Sequence, residues 1–484
     1  MAEKSLKGET AKGLLWGSIN NGGQQLLNLI FGIFLARLLT AEDYGMVGML
    51  TIFALIASAL QESGFISALN RKKDITHADY NAVFWFNVIC AVSLYVILFF
   101  CAPLIAAWFQ QPALIPLARL SFLSIILAAL GTAPRAYLFR NLLVKKTAGM
   151  TLTALLLSGF TGITLAALGM AYWGLAIQNL VYCGVMTIFS WTLSGWRPTL
   201  HIDLRPLRGM IGFSSRLLIT NIFTGINNNI FSIFFGRFYG ERQVGLYNQA
   251  NKWTFQGYTF LNGTLWNVTQ PVFARIDDIE RQRRAFRKMF RFTAFASCPL
   301  LFGLALVAPE FITLLITDKW IESAHLMQIL SIGGAFIPVA SFYSNYLISQ
   351  GRSNVFMWCT IGLCVLQTLS AILLYPFGVT VMVVVYVVLG ILWLPVWHYF
   401  IWKTNGVTLW QALADLLPFV VCAALAMLGA WAVSQGLTSN FWRLVVKVAT
   451  AFVLYVGMMK ALRVVIFEES IAFLLSKFKR KKQS

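Results

Sequence analysis

Charged residues are scarce in this chain. Asp, Glu, Lys and Arg together make up 12% of its 484 residues, and 58% of the residues are hydrophobic. Soluble domains carry about 25% charged residues. A soluble fold of this length could not bury so much apolar surface, so most of the chain must be surrounded by lipid. The composition therefore excludes a set of soluble domains and predicts an all-α polytopic membrane protein.

Residues that bind metals or form disulfide frameworks are also few. The seven cysteines lie within or beside apolar runs and form no CxxC pair, and the four histidines are scattered. We therefore expect no metal site and no cofactor. No GxxxxGK[ST] loop occurs, which leaves any ATP hydrolysis to another protein. The net charge of +20 lies mostly in short segments between apolar runs, so we expect no nucleic-acid partner.

Apolar runs long enough to cross a bilayer, which takes about 20 residues, occur fourteen times. Six precede a polar stretch at 196–208, six follow it, and two more lie at 410–434 and 440–462. The predicted organisation is an N-terminal six-helix lobe at 1–195, a cytoplasmic linker at 196–208, a second six-helix lobe at 209–402, and two extra helices with a basic tail at 403–484.

The distribution of Lys and Arg predicts the orientation. With the N-terminus placed inside, 28 of these residues fall on the inner side of the membrane and 5 on the outer side. Cytoplasmic loops carry such an excess, so both termini are expected in the cytoplasm. The first apolar run lacks an A-x-A site, and we expect no signal-peptide cleavage. The basic run from Arg281 to Arg291 is expected to form a surface helix on the anionic inner leaflet.

The two predicted lobes share a sequence repeat with an offset of 200 residues. Residues 31–45 read FGIFLARLLTAEDYG and residues 231–245 read FSIFFGRFYGERQVG, with five identical positions that end in Gly45 and Gly245. Because each copy holds an even number of helices, both enter the membrane in the same direction. This predicts a parallel repeat with a central cleft between the lobes.

Polar side chains recur on the first helix of each predicted lobe. Their spacing of three and four residues places each set on one helical face. We interpret these amide stripes as the lining of a cleft that binds sugar hydroxyls, with hydrogen bonding between helices as the alternative. The residues are Asn20, Asn21, Gln24 and Asn28 on the first helix and Asn221, Thr224, Asn227 and Asn228 on the seventh.

Three segments resemble a known transporter family. They are LARLLTAEDYG at 35–45, QESGFISALNRKKDITHADYNAVFWFNV at 61–88 and VGLYNQANKW at 244–253. They are similar to the polysaccharide transporter (oligosaccharide flippase) family of the MOP superfamily, and especially to WzxC-like lipopolysaccharide and exopolysaccharide exporters. The resemblance implies a MATE-like fold in the bacterial inner membrane. It also implies an undecaprenyl-diphosphate-linked oligosaccharide as the cargo, moved from the inner to the outer leaflet. We expect this transport to proceed by alternating access.

Cations inside predicted spans are candidates for contact with the diphosphate. Arg216 in the seventh helix is the first candidate, because a guanidinium group can bind two phosphate oxygens at once. Lys252 in the eighth helix and Arg119 in the fourth are the next candidates. Glu62 in the second helix could form an ion pair or carry a coupling proton, and the sequence does not rank these roles.

Three other ionisable residues within the spans have weaker cases. We expect the Arg135 side chain to extend to the inner interface, as long basic side chains near span ends do. Glu310 is expected at the outer interface. Lys447 lies outside the repeat and is the weakest of the cation candidates.

Two other functions compete with the flippase. A multidrug extruder of the same fold binds organic cations and would need carboxylates in its cleft, but the first span, Gly13 to Leu39, contains no Asp or Glu. A membrane glycosyltransferase or polymerase needs catalytic carboxylates, and Glu42-Asp43 is the only adjacent acidic pair in the predicted outer loops. We therefore expect a transporter and not an enzyme. The sequence leaves open coupling to H⁺ or Na⁺, and polymerase or glycosyltransferase neighbours as partners.

Overall fold

The computed structural model describes the backbone of residues 2–62, 75–141, 143–273, 276, 278–469 and 472. Within these ranges the chain forms fourteen long helical segments and no strand. In order they are α1 (Ala2–Leu38), α2 (Ala41–Glu62), α3 (His77–Phe109), α4 (Leu114–Arg140), α5 (Val144–Ala167), α6 (Ala171–Ser194), α7 (Arg208–Phe238), α8 (Glu241–Phe273), α9 (Ile279–Ile316), α10 (Asp318–Ser349), α11 (Ser353–Phe377), α12 (Val379–Asn405), α13 (Leu409–Ser434) and α14 (Asn440–Ala461).

The predicted class, an all-α polytopic membrane protein, is confirmed. Among the described residues, eleven of the helical segments are long and apolar enough to cross a membrane. The other three are α1, α7 and α8, which contain 37, 31 and 33 residues. Each of the fourteen segments overlaps one of the predicted apolar runs. The amide stripes belong to α1 and α7, and the candidate cations Arg216 and Lys252 belong to α7 and α8.

Proline interrupts the backbone hydrogen bonding of some spans, and a neighbouring helix supplies the replacement. Pro134 in α4 has no N–H to donate to the carbonyl of Leu130. That carbonyl accepts instead from the indole N–H of Trp191 in α6, at 2.8 Å. Such a replacement is needed because lipid offers no donor to a freed carbonyl. It also ties α4 to α6.

The chain divides into two compact units, residues 1–245 and 246–484. In the first unit α1 packs against α5, α4 packs against α6, and α7 packs against α2. The helix that opens the second sequence repeat therefore packs with the first unit, and the chain passes from one unit to the other within α8. The predicted lobes follow the sequence repeat and remain a prediction.

In the second unit α9 is the central helix, and α10, α13 and α14 all pack against it. The expected surface helix over the basic run is wrong, because these residues form the first turns of α9. Gln282, Phe286 and Phe290 recur every four residues within the run and are buried. Phe286 packs on Phe342 of α10 with ring centroids 5.0 Å apart. Only one face of this segment therefore remains basic and exposed.

The predicted linker has no regular structure over residues 196–204, ends in a short 3-10 helix at Arg205–Leu207, and is fastened to α3. The Asn81 side-chain amide donates to the carbonyl of His201 at 2.7 Å, and its oxygen accepts from the N–H of Thr199 at 2.9 Å. The indole N–H of Trp85 donates to the carbonyl of Thr199 at 2.7 Å. These side chains satisfy backbone groups of a segment that forms no helix or strand, and they hold it against α3.

Candidate functional site

The amide stripe of α1 lies on a face that the protein leaves open. α1 packs on α5 through Gly23, where an added β-carbon would lie 2.8 Å from Leu152, and through the buried ring of Phe31, which lies against Gly159. Exposed amides within a span find no hydrogen-bond partners in lipid, so their exposure favours water-filled surroundings. This agrees with the predicted cleft lining, which remains a prediction. Asn21 and Asn28 are exposed, and Asn20 and Gln24 are half-buried.

The stripe of α7 has a similar arrangement. Asn228 is exposed, and Thr224 and Asn227 are half-buried. One turn further along, Phe231 and Phe235 are buried and stack with ring centroids 4.9 Å apart. Among the described residues of α7, the stripe is therefore open at Asn228, and the aromatic residues that follow it are packed. In the described part of the first unit, no close packing joins α7 to α1.

Two amides in these stripes keep unused hydrogen-bonding capacity. The side-chain oxygens of Asn20 and Asn227 are buried and have no hydrogen-bond partner among the described residues. A buried acceptor without a partner costs about 1–3 kcal/mol. Each oxygen could accept a hydrogen bond from a hydroxyl group that enters the site.

Arg119 is held by an aromatic ring. Its guanidinium carbon lies 4.3 Å from the ring centroid of Phe99 in α3, and its Nε has no partner within the described residues. Such a cation–π contact contributes about 0.5–2 kcal/mol and leaves the positive charge uncompensated. Arg119 therefore remains available to an anion.

Lys252 lies in the second unit, whereas Arg119 and both amide stripes lie in the first. Its Nζ is 5.6 Å from the ring centroid of Trp253. Gln249 and Trp253, one turn apart on α8, are buried and each keeps a side-chain N–H donor without a partner in the described structure. This part of α8 therefore contains two unpartnered N–H donors and a cation within two turns.

Three predicted site residues lie outside the residues whose side chains the structure describes. Arg216 belongs to α7, Asn221 follows it in the same helix, and Glu62 ends α2. Their proposed roles remain predictions. Asn262 in α8, which corresponds to Glu62 in the repeat, is half-buried and has an unpartnered side-chain oxygen.

The expectation that Arg135 extends to the inner interface is wrong. Its Nε donates to the carbonyl of Gly131 at 3.1 Å, and a terminal guanidinium nitrogen donates to the carbonyl of Ala128 at 3.0 Å. Both carbonyls precede Arg135 in α4, so the side chain turns back into the span. Carbonyl oxygens have two lone pairs and can accept a second bond, so the cation finds partners without reaching the interface.

Glu310 and Lys447 form a buried ion pair. The Lys447 ammonium donates to the two Glu310 carboxylate oxygens at 2.7 and 2.9 Å and to the carbonyl of Leu306 at 3.1 Å. All three N–H groups of the ammonium are thereby used. Glu310 is covered by α14 and buried, and its expected place near the outer interface remains a prediction. The sequence signal for this pair was that Glu310 and Lys447 each lie within a predicted apolar run.

Asp415 in α13 is a charged residue that the sequence interpretation missed. It is buried and binds two arginines of α9. Arg287 Nε donates to one carboxylate oxygen at 2.6 Å, and another Arg287 nitrogen donates to the second oxygen at 2.9 Å. Arg291 Nε also donates to this second carboxylate oxygen, at 2.6 Å.

The part of the chain that the structure describes contains no group of three or more His, Cys, Asp or Glu side chains that could hold a metal ion.

Sequence comparisons find polysaccharide biosynthesis proteins. A family model described as polysaccharide biosynthesis protein matches residues 34–325. The teichuronic acid biosynthesis protein TuaB of Bacillus subtilis (strain 168) is 24% identical over 436 residues, which are 88% of this chain and 89% of that protein. The lipopolysaccharide biosynthesis protein WzxC of Escherichia coli (strain K12) is 26% identical over 358 residues, which are 72% of each chain.

Comparison with solved structures finds the lipid II flippase MurJ in an inward closed conformation. The TM-score is 0.73 at 13% sequence identity, and the match covers 95% of this chain and 100% of that chain. The likeness confirms the predicted transporter fold over nearly the whole chain.

Proposed function

This chain belongs to the polysaccharide biosynthesis protein family, and from that membership we propose that it is a flippase for lipid-linked oligosaccharides. In this proposal the cargo is an undecaprenyl-diphosphate-linked oligosaccharide, carried from the inner to the outer leaflet of the bacterial inner membrane for cell-surface polysaccharide biosynthesis. The observation that carries the proposal is the family match over residues 34–325, which spans most of both predicted lobes.

The amide stripes support a sugar-binding role. A sugar head group cannot cross hydrocarbon unaided, because each unsatisfied hydroxyl costs several kcal/mol there. Exposed amides such as Asn21 and Asn28 supply donors and acceptors at membrane depth. The unpartnered oxygens of Asn20 and Asn227 supply acceptors for sugar hydroxyls. Together with Gln24, Asn221, Thr224 and Asn228, these residues line the proposed cleft.

The diphosphate requires cations that are not already neutralised. Lys447 binds the Glu310 carboxylate with its whole ammonium group and is therefore occupied, and Arg287 and Arg291 are both tied to the carboxylate of Asp415. Arg119 and Lys252 lie instead against aromatic rings. This difference supports Arg119 and Lys252 as phosphate contacts. Arg216 remains in the proposal on the basis of its place within α7.

The proposed mechanism is alternating access of two lobes about a central cleft, with the lipid tail staying in the bilayer. Both termini lie in the cytoplasm, which the excess of basic residues in the predicted inner segments supports. Glu62 is the candidate for an ion pair or for carrying a coupling proton, and H⁺ and Na⁺ are the alternative coupling ions for the cycle. The protein carries cargo without changing its covalent structure, and glycosyltransferases and a polymerase are its expected neighbours.

The test is deletion of the gene followed by mass spectrometry of the lipid-linked oligosaccharides. A flippase predicts that one undecaprenyl-diphosphate-linked oligosaccharide accumulates at the inner leaflet while surface polymer is lost, and that a plasmid copy reverses both effects. Loss of the precursor itself would indicate a glycosyltransferase. Increased drug sensitivity with normal polymer would indicate the multidrug extruder and contradict the proposal.

A further inference from the structure

The helical hairpin of α13 and α14 is joined to α9 by two buried carboxylates, each of which faces two cations. In the Glu310 cluster, Glu310 of α9 binds Lys447 of α14, and Arg443 lies 3.9 Å away. In the Asp415 cluster, Asp415 of α13 binds Arg287 and Arg291 of α9. The two clusters lie near opposite ends of α9.

The Glu310 cluster is closed. Lys447 is only 5% exposed, and its three N–H groups all donate to protein oxygens. Arg443 donates to the carbonyl of Leu437 at 2.6 Å. A cluster of this kind is explained by its structural role in joining α14 to α9.

The Asp415 cluster is open. Its carboxylate is 5% exposed, but the side chains of Arg287 and Arg291 are 31% and 36% exposed. Arg291 donates to Asp415 only through Nε. A guanidinium group has five N–H donors, so most of the donors of both arginines remain for another acceptor. One carboxylate also leaves two guanidinium groups with a net positive charge.

Two neighbouring cations on α9 each pair with one carboxylate. Arg283 binds Glu280 at 3.1 Å, and Lys288 binds Glu469 at 2.7 Å. Arg281 and Arg284 are exposed on the same stretch of the helix. Arg287 and Arg291 differ from all four, because a single buried carboxylate holds their two guanidinium groups together.

The surroundings of the cluster match the boundary of a membrane. Trp410, at the start of α13, is 81% exposed, as is typical of tryptophans at the level of lipid head groups. Phe292, which follows Arg291 in the chain, is an exposed apolar side chain. Such a side chain next to a cation is suited to the boundary between acyl chains and head groups.

We propose that the Asp415 cluster binds the phosphate group of an anionic phospholipid. The arginines donate to the phosphate oxygens, and Asp415 holds both guanidinium groups in place by charge-assisted bonds. Basic pockets between membrane helices are suited to anionic head groups. In the proposed orientation the bound lipid belongs to the inner leaflet, where it lies against both α9 and α13.

Native mass spectrometry of the purified full-length protein in detergent tests this site. The probes are phosphatidylglycerol and phosphatidylcholine with identical acyl chains, added at equal concentrations. The wild type should retain one phosphatidylglycerol in preference to phosphatidylcholine. Arg291→Gln should weaken that binding about five-fold, the effect of one basic side chain near an anionic lipid surface. The variant should fold, because Arg287 still makes two bonds to Asp415.

Arg284→Gln is the matched control, since Arg284 lies on the same stretch of α9 and is exposed. It should bind phosphatidylglycerol as the wild type does. Equal loss in R284Q and R291Q, or equal retention of the two lipids by the wild type, would overturn the proposal. If R291Q does not fold, the lipid preference of the wild type in low and high salt decides, because salt screens an exposed charge contact. The readout is lipid binding and not export, so it is independent of the proposed transport function.

Discussion

Gly45 and Gly245 each lie against the backbone at the start of the other's helix. The carbonyl group of Glu241 meets Gly45, and that of Ala41 meets Gly245. All four residues belong to the first unit, and the two glycines are 200 residues apart, as are Ala41 and Glu241, which is the offset of the repeat. Any β-carbon at either glycine would overlap a carbonyl oxygen. Glycine therefore allows the starts of α2 and α8 to cross at this distance.

A salt bridge accompanies the glycine contact. Arg242 lies 3.6 Å from Glu42, and these residues also occupy the same position in the two repeats. Glu42 belongs to the only adjacent acidic pair in the predicted outer loops, and here it forms an ion pair with the second repeat. Since both side chains are about half exposed, the pair contributes about 0–1 kcal/mol, and the glycines matter more to the crossing.

Replacing either glycine with alanine should destabilise the protein. The added methyl group has to push two backbones apart, and overpacking of this kind costs about 1–3 kcal/mol. Thermal unfolding of the purified protein in detergent should show a lower midpoint for Gly45→Ala and for Gly245→Ala. Gly22→Ala is the control, because a β-carbon there meets no atom within 4 Å. An unchanged midpoint in both test variants would contradict the reciprocal packing.

The buried pair of Lys447 and Glu310 makes a different prediction about stability. Lys447→Met leaves a carboxylate buried without its partner, and breaking a buried pair in this way costs about 3–5 kcal/mol. Removing both charges in K447M/E310Q should restore most of the stability, because no buried charge then remains. Thermal unfolding of the single and double variants measures the difference.

The double variant decides between the ion pair and simple packing. If K447M/E310Q unfolds at the same temperature as K447M, the cost comes from lost packing and not from an unpaired carboxylate. Arg443→Gln is a useful comparison, because Arg443 lies 3.9 Å from the same carboxylate. Its removal should lower the midpoint less than the loss of Lys447.

The helices could be predicted because their signals are local. Apolar run length identifies a span, and spacing of three and four residues places Asn21 and Asn28 on one face of α1. The structure confirms eleven of the spans among the described residues and finds both side chains of α1 exposed. The start of α9 was misplaced because its basic first turns mask the period of Phe286 and Phe290, which pack inward.

The charge clusters could not be predicted because their partners are distant in the sequence. Asp415 lies 128 residues from Arg287, and Glu310 lies 137 residues from Lys447. A single sequence does not show which of several intramembrane charges form ion pairs with one another. The direction of the Arg135 side chain could not be predicted either, because it depends on which backbone carbonyls of α4 the guanidinium group can reach.

Lys252 allows a direct test of charge in transport. Lys252→Ala removes a cation that the proposed function assigns to the diphosphate, and a lost hydrogen bond to a charged group costs about 1.5–3 kcal/mol, so export should fall about ten-fold or more. Lys252→Glu should lower export further, because a carboxylate repels the diphosphate.

Lys403 is the matched control: its Nζ also lies 5.6 Å from an aromatic ring, that of Tyr399, but its side chain is exposed. Surface polymer should be measured at equal protein levels in the membrane, and K403A and K403E should match the wild type. Equal export by K252A and K252E would mean that the ammonium acts through packing and does not meet the phosphate charge.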